Sequence, residues 1–188
     1  MYVIDDLDIV RPLPDLPQSS VGAPIPCVLA DEHAVVVAFY VQSTPPGWDG
    51  TSIQVVGRDT PDLPVAIVRF RGAYAHLFGP PNDEAFLGHP LEARGLHPYG
   101  AFEIERSSWI RALAEMNSVH PYHSSALFSG YRHFILAFHD STFECVAEGY
   151  DVHVSQGPIA STVTLMATLL ASAAQPNPGV QWTRSARH

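Results

Sequence analysis

The densest group of reactive side chains in this sequence lies in residues 131–148, where two predicted strands meet at a turn. His139 and Asp140 lie on one side of the turn, and Glu144 lies on the other. A carboxylate beside an imidazole fixes its tautomer and favours its protonated form, so such a pair can act as a general acid or base. We therefore take His139, Glu144 and Asp140 as candidate catalytic residues. The alternative is an ordinary cross-strand pair, which contributes only a fraction of a kcal/mol.

The register of this hairpin decides which of its side chains meet, because side chains alternate between the two faces of a strand. A loop of two or four residues centred on residues 141–142 places His139 opposite Glu144. The same register predicts one apolar face, made of Phe134, Leu136, Phe138, Cys145 and Ala147. Cys145 is then a buried structural thiol and not a nucleophile, because a reactive thiolate needs exposure and a basic partner.

Three other histidines have a spacing that suits a metal site. His120 and His123 flank a Pro-Tyr pair, and His89 or His97 from residues 79–100 would supply a third ligand. A catalytic zinc ion takes three protein ligands and keeps one position open. The sequence thus allows a divalent metal bound by His120, His123 and His89, although HExxH and paired CxxC motifs are absent. The alternative is that these histidines form ordinary turns and hydrogen bonds.

The long loop, residues 79–100, is the longest irregular segment inside the predicted domain. A loop of this length in a compact domain is usually functional or contains local structure. Its polar side chains include Asn82, Asp83, Glu84, His89, Arg94 and His97. We expect the long loop and the hairpin tip to form a recognition surface.

Composition and charge exclude several classes of function. The formal net charge is −9, and all ten basic residues are arginine. Because no basic cluster is present, neither nucleic acid nor an anionic membrane is an expected partner. No signal peptide or apolar run of about 20 residues is found, which predicts a soluble cytoplasmic protein. The glycine-rich nucleotide-binding motifs and the GxSxG motif of serine hydrolases are also absent.

The pattern of strands and turns predicts an α+β fold with a mainly antiparallel sheet, curved or sandwich-like, and two helices. Short β-branched and aromatic runs alternate with proline and glycine turns, as in an antiparallel meander. Helices are expected at about 107–118 and 159–173. We expect one globular domain over residues 1–174, with a proline-rich extended segment at 11–26 and a disordered tail at 175–188.

Two segments carry a resemblance to a known family. The stretches GPPNDEAFLGHPL, from residue 79, and RHFILAFHDSTFEC, from residue 132, resemble a family of uncharacterised bacterial hypothetical proteins over about residues 30–150. The resemblance implies a bacterial, cytoplasmic protein, and it implies no mechanism.

The sequence leaves two functions open. The first is a small soluble binding or accessory protein for an unknown small molecule or protein. The second is a metal-dependent or acid–base enzyme that acts on a small polar substrate, with His120, His123, His139 and Glu144 in its site. The oligomeric state is not predicted.

Overall fold

The computed structural model describes residues 3–44, 48–51 and 55–171, and the backbone of 183 and 184. The chain divides into two compact units: Met1–Pro14 with Gly72–Gly149, and Asp15–Arg71 with Tyr150–His188. Both units are discontinuous in sequence. The single-domain prediction stays a prediction, because this division concerns compactness and not independent folding.

The α+β prediction with antiparallel sheets is confirmed. The helices are α1 (Ser108–Asn117), α2 (Ser125–Phe128) and α3 (Ile159–Ala171), and two 3-10 turns lie at Phe86–Gly88 and Glu92–Arg94. The strands are, in chain order, β1 (Ile9–Pro12), β2 (Cys27–Ala30), β3 (Ala34–Tyr40), β4 (Pro64–Arg71), β5 (Ala75–Gly79), β6 (Ala101–Glu105), β7 (Arg132–Ala137), β8 (Thr142–Ala147), β9 (Gly149–Gln156) and β10 (Thr183–Arg184). The proline-rich segment thus begins inside β1. The predicted tail is described only at β10. The sequence also predicts a strand at 52–56, of which residues 52–54 lie outside the described residues.

The first unit is built on a sheet with the strand order β1-β6-β7-β8-β5, in which neighbouring strands are antiparallel. Helix α1 follows β6 directly and begins with two caps. The Ser107 hydroxyl accepts a hydrogen bond from the Ile110 amide at 3.3 Å, and the buried Asp8 carboxylate accepts one from the Ser108 amide at 2.5 Å. These two acceptors satisfy amides that the helix itself leaves unpaired, which fixes where α1 starts.

The long loop is packed against the sheet. Its side chains Phe86, Leu91 and Leu96 are buried and form one apolar cluster with side chains of β6 and β7. The 3-10 turns provide the local structure that a loop of this length needs. The burial of these side chains holds the polar residues of the long loop at fixed positions.

The β7–β8 hairpin keeps the predicted faces but not the predicted register. Glu144 lies opposite Ile135, and Cys145 lies opposite Phe134, so the predicted pairing of His139 with Glu144 is wrong. The loop is residues 138–141, closed by a 2.8 Å hydrogen bond from the Phe138 amide to the Ser141 carbonyl. The shift is by an even number of residues, and for that reason the apolar face survives. Cys145 is buried, and burial raises the pKa of its thiol.

The second unit has the strand order β10-β9-β4-β3-β2, with α3 packed on one face of the sheet. The core of this unit includes Tyr40, Ile67 and Met166, so the apolar side of α3 faces the sheet. In the ranges that the structure describes, no helix is both long and apolar enough to cross a membrane.

One buried ion cluster interrupts the apolar character of this second unit. Asp151 on β9 accepts hydrogen bonds from Arg69 at 2.9 Å and from Arg71, both on β4. The Asp151 and Arg69 side chains are almost fully buried, whereas 36% of the Arg71 side chain is exposed. One carboxylate thus bonds to two guanidinium groups and weakens the repulsion between them.

Candidate functional site

The tip cluster, which consists of Asp83, Tyr99 and His139, joins the long loop to the hairpin tip. Asp83 Oδ2 lies 2.9 Å from His139 Nδ1 and also accepts a hydrogen bond from the Tyr99 hydroxyl. The Tyr99 oxygen lies 3.0 Å from the same imidazole nitrogen, and the two rings are stacked. Two further bonds of 2.9 Å tie the segments together, from the Asp83 amide to the His139 carbonyl and from the Thr142 hydroxyl to the Pro81 carbonyl.

These contacts assign the protons on the His139 ring. Asp83 is a carboxylate and Tyr99 already donates its proton to Asp83, so His139 Nδ1 must carry the hydrogen that faces both oxygens. In the neutral ring, Nε2 then holds the free lone pair. The imidazole is 39% exposed, and Asp140 Oδ1 lies 3.9 Å from Nε2, too far for a hydrogen bond. The tip cluster thus has an imidazole of fixed orientation that can accept a proton or a hydrogen bond at Nε2.

The charges of the tip cluster follow from the same bonds. The hydrogen bond from Tyr99 and then that from His139 lower the pKa of Asp83. Asp83 in turn raises the pKa of Tyr99 to about 12, first through the hydrogen bond. Tyr99 also has a φ of 60°, in the left-handed region, where a non-glycine residue costs about 1–3 kcal/mol. Strained residues of this kind cluster at functional sites, because the surrounding structure has to hold them.

A pH titration should show the coupling of Tyr99 to Asp83. In Asp83→Asn we expect the pKa of Tyr99 to fall from about 12 toward its ordinary value of about 10. The contribution of Tyr99 to stability is complete below about pH 10 and is lost as the pH rises through about 12, because its pKa is raised in the folded state. The contribution of Asp83 to stability is complete above about pH 4 and is lost as the pH falls further, because the pKa of Asp83 is lowered in the folded state.

The measurement is the 13Cζ chemical shift of Tyr99 at pH 11. The wild-type signal should be that of a phenol, and the Asp83→Asn signal that of a phenolate. Asp140→Asn is the control, since Asp140 makes the smallest contribution to the raised pKa of Tyr99. An unchanged signal in Asp83→Asn would contradict the assignment.

A second polar group is the buried chain, which consists of Ser107, His133, Glu144 and His89. The Ser107 hydroxyl lies 2.9 Å from His133 Nδ1, and His133 Nε2 lies 3.0 Å from Glu144 Oε2. His89 Nε2 lies 3.5 Å from the other Glu144 oxygen. The four residues come from the start of α1, from β7, from β8 and from the long loop, and all are buried.

The buried chain has the residue types of a serine hydrolase without its accessibility. Ser107 is 2% exposed, and its oxygen already accepts the Ile110 amide as the cap of α1. The adjacent Ser108 amide, which would stabilise an oxyanion, is bonded to Asp8. The buried chain is therefore a structural network that satisfies polar groups inside the first unit.

The predicted catalytic residues separate into the two groups. His139 belongs to the tip cluster with Asp140 nearby, whereas Glu144 belongs to the buried chain. Asp83 takes the role that the sequence had suggested for Glu144. The catalytic role of His139 itself stays a prediction.

Within the described ranges, the predicted metal ligands His89, His120 and His123 each make contacts of their own. His89 contacts Glu144 in the buried chain, whereas His123 Nδ1 lies 3.0 Å from Asn117 Oδ1 and His120 accepts the Tyr122 amide. Among the described residues, no group of three or more histidine, cysteine, aspartate or glutamate side chains could hold a metal ion. The three histidines instead make turn and network contacts, which was the alternative interpretation.

Sequence reasoning missed Tyr99 and His133 as members of polar groups. His133 and Glu144 lie on the same face of the hairpin in both the predicted and the observed register. Had the loop been predicted at residues 138–141, the register would have placed these two side chains next to each other. No sequence signal connects Tyr99 to His139, because forty residues separate them and the contact depends on how the long loop packs.

Comparisons of the chain with protein-family models, with curated proteins and with solved structures gave no match. The resemblance to uncharacterised bacterial proteins therefore stays a prediction, and any function has to be argued from the two polar groups.

Proposed function

We propose that this chain is a small soluble cytoplasmic binding protein that recognises a polar ligand at the tip cluster. The observation that carries the proposal is the His139 imidazole, which is 39% exposed, with Nδ1 next to Asp83 and Tyr99 and with Nε2 making no hydrogen bond to a described residue. A side chain whose rotamer is fixed by such partners binds at a lower entropy cost than a free one. The packed long loop supports the same role, because it holds Asp83 and Tyr99 in place.

The surroundings of Nε2 favour a ligand with N–H donors. In its neutral form Nε2 is an acceptor, and the exposed carboxylates of Asp140 and Glu84 lie on the same two segments. These carboxylates, in a chain with a formal charge of −9, attract cations and repel anions. An amine or a guanidinium group is the ligand chemistry that fits this arrangement.

A second candidate function is an acid–base enzyme at the same place. The specific observation is the direction of the Asp83–His139 pair, in which the carboxylate orients Nδ1 and leaves Nε2 to take a proton from a substrate or a water molecule. This version of the enzyme hypothesis needs neither Glu144 nor a metal ion. Turnover of a bound ligand that is lost in His139→Gln, with the ligand still bound, would favour it over plain binding.

The proposal is tested by NMR with a set of small amines, guanidines, carboxylates and phosphates added to 15N-labelled protein. We expect amines or guanidines to shift the amide signals of Asp83, Tyr99 and His139, and we expect carboxylates and phosphates to shift them less. Shifts confined to other surfaces, or a tip cluster that responds to none of the four classes, would contradict the proposal.

A further inference from the structure

The buried chain places two imidazoles on one carboxylate, and only one of those imidazoles belongs to the long loop. His133 on β7 and His89 on the long loop each direct Nε2 toward Glu144 on β8. The other faces of His89 are occupied by its own loop: its ring stacks on Phe86, and the Leu91 amide donates to its Nδ1 at 3.2 Å. His89 is therefore a polar contact between the long loop and the interior of the sheet.

The two imidazoles differ in what a second proton would do. The Ser107 hydroxyl is hydrogen-bonded to Nδ1 of His133. Because a hydroxyl can rotate to donate or to accept, this hydrogen bond is compatible with either protonation state of Nδ1. His89 has no such freedom, because its Nδ1 accepts from a backbone amide, which can only donate. A proton on His89 Nδ1 would face the Leu91 N–H and break that hydrogen bond.

We propose that His89 is an acid-sensitive contact that holds the long loop on the sheet at neutral pH and releases it in mild acid. The groups that face His89 are Glu144 from β8, with His133 from β7 beyond it, and Phe86 and Leu91 from the long loop itself. With both imidazoles charged, this buried site would hold two cations and one carboxylate, an uncompensated charge that is costly to bury.

The direction of the effect follows from proton counting. The released loop exposes His89 to water, where it can take a proton freely, whereas the packed loop takes one only by breaking the Leu91 hydrogen bond. The released state thus binds more protons, and acid favours it. A free imidazole in water takes its proton at about pH 6.5 (about one unit either side), and this general value sets the two pH values of the test.

The release of the long loop does not depend on the proposed function. The effect of that release on ligand binding rests on the proposed function. Asp83 and Tyr99 lie on the same loop as His89, so release of the loop would dismantle the tip cluster. The release can be measured with no ligand present, and failure of one proposal is therefore distinguishable from failure of the other.

The test is amide hydrogen exchange of residues 86–96 at pH 7.0 and 5.5, with times corrected for the intrinsic effect of pH on exchange. In wild-type protein we expect protection to fall at least tenfold at the lower pH. In His89→Asn the fall should vanish, because the amide oxygen can accept the Leu91 N–H and takes no proton. His97→Asn is the matched control, because His97 is exposed on the same loop, and this variant should respond to pH as the wild type does.

The Leu91 amide signal of the wild-type protein gives a second readout, which does not depend on whether a variant folds. Its proton should move upfield as the pH falls from 7.0 to 5.5, since the hydrogen bond is lost. A Leu91 signal and a loop protection that do not change with pH would overturn the proposal. A fall in protection that persists in His89→Asn would overturn it as well.

Discussion

Glu144→Ala is expected to lower the free energy of unfolding by about 2–6 kcal/mol, because it leaves two buried N–H groups without this acceptor at about 1–3 kcal/mol each. His133 is fully buried and His89 nearly so, and both direct Nε2 at this carboxylate. Without the Glu144 carboxylate, two imidazole N–H groups lose this acceptor in a largely buried place. The measurement is urea denaturation followed by circular dichroism.

The matched control for Glu144→Ala is Glu105→Ala, at an ion pair on the surface of the same unit. Glu105 pairs with Arg11 at 3.1 Å, and both side chains are about half exposed, so we expect a loss of at most about 1 kcal/mol. Glu144→Gln should fall between the two, because the amide keeps one acceptor oxygen and removes the charge. The structural role of the buried chain would be refuted by a Glu144→Ala variant no less stable than Glu105→Ala.

Asp151→Ala is expected to destabilise the second unit by a similar amount, about 3–5 kcal/mol. The carboxylate is buried and accepts from Arg69 at 2.9 Å and from Arg71. Its removal leaves two guanidinium groups on one strand without this counter-charge, and Arg69 is almost fully buried. Urea denaturation measures the loss, and hydrogen exchange of β4 and β9 shows whether it lies in this unit.

Arg71→Ala is the control for the Asp151 cluster. Because the Arg71 side chain is 36% exposed and Asp151 keeps its bond to Arg69, we expect a loss of about 1 kcal/mol. Equal losses for Asp151→Ala and Arg71→Ala would mean that the buried Asp151–Arg69 pair contributes little to the stability of this unit.

The sequence was sufficient for the features that depend on local periodicity. The alternation of apolar residues along β7 and β8 predicts the face that carries Phe134 and Cys145, and both are buried. The two helices predicted at about 107–118 and 159–173 are observed as α1 (Ser108–Asn117) and α3 (Ile159–Ala171). These features depend on neighbours within one strand or one helical turn.

The features that the sequence could not predict depend on distant contacts. The hairpin loop is residues 138–141, so the first pair of the ladder is Ala137 with Thr142. Thr142 also donates a hydrogen bond to the Pro81 carbonyl of the long loop, a contact that the hairpin sequence does not indicate. The partner of His139 is Asp83, and the two are brought together only after the long loop has packed on the sheet. Pattern analysis of one strand at a time therefore identified His139 but assigned it the wrong carboxylate.

The most direct test of the proposed function is the affinity of the amine or guanidine that shifts the tip cluster most, measured by titration calorimetry on three proteins. We predict that His139→Ala binds it at least tenfold more weakly than the wild type, whereas His97→Ala, on the same loop but outside the tip cluster, binds it as the wild type does. Equal affinity for all three proteins would contradict recognition at His139.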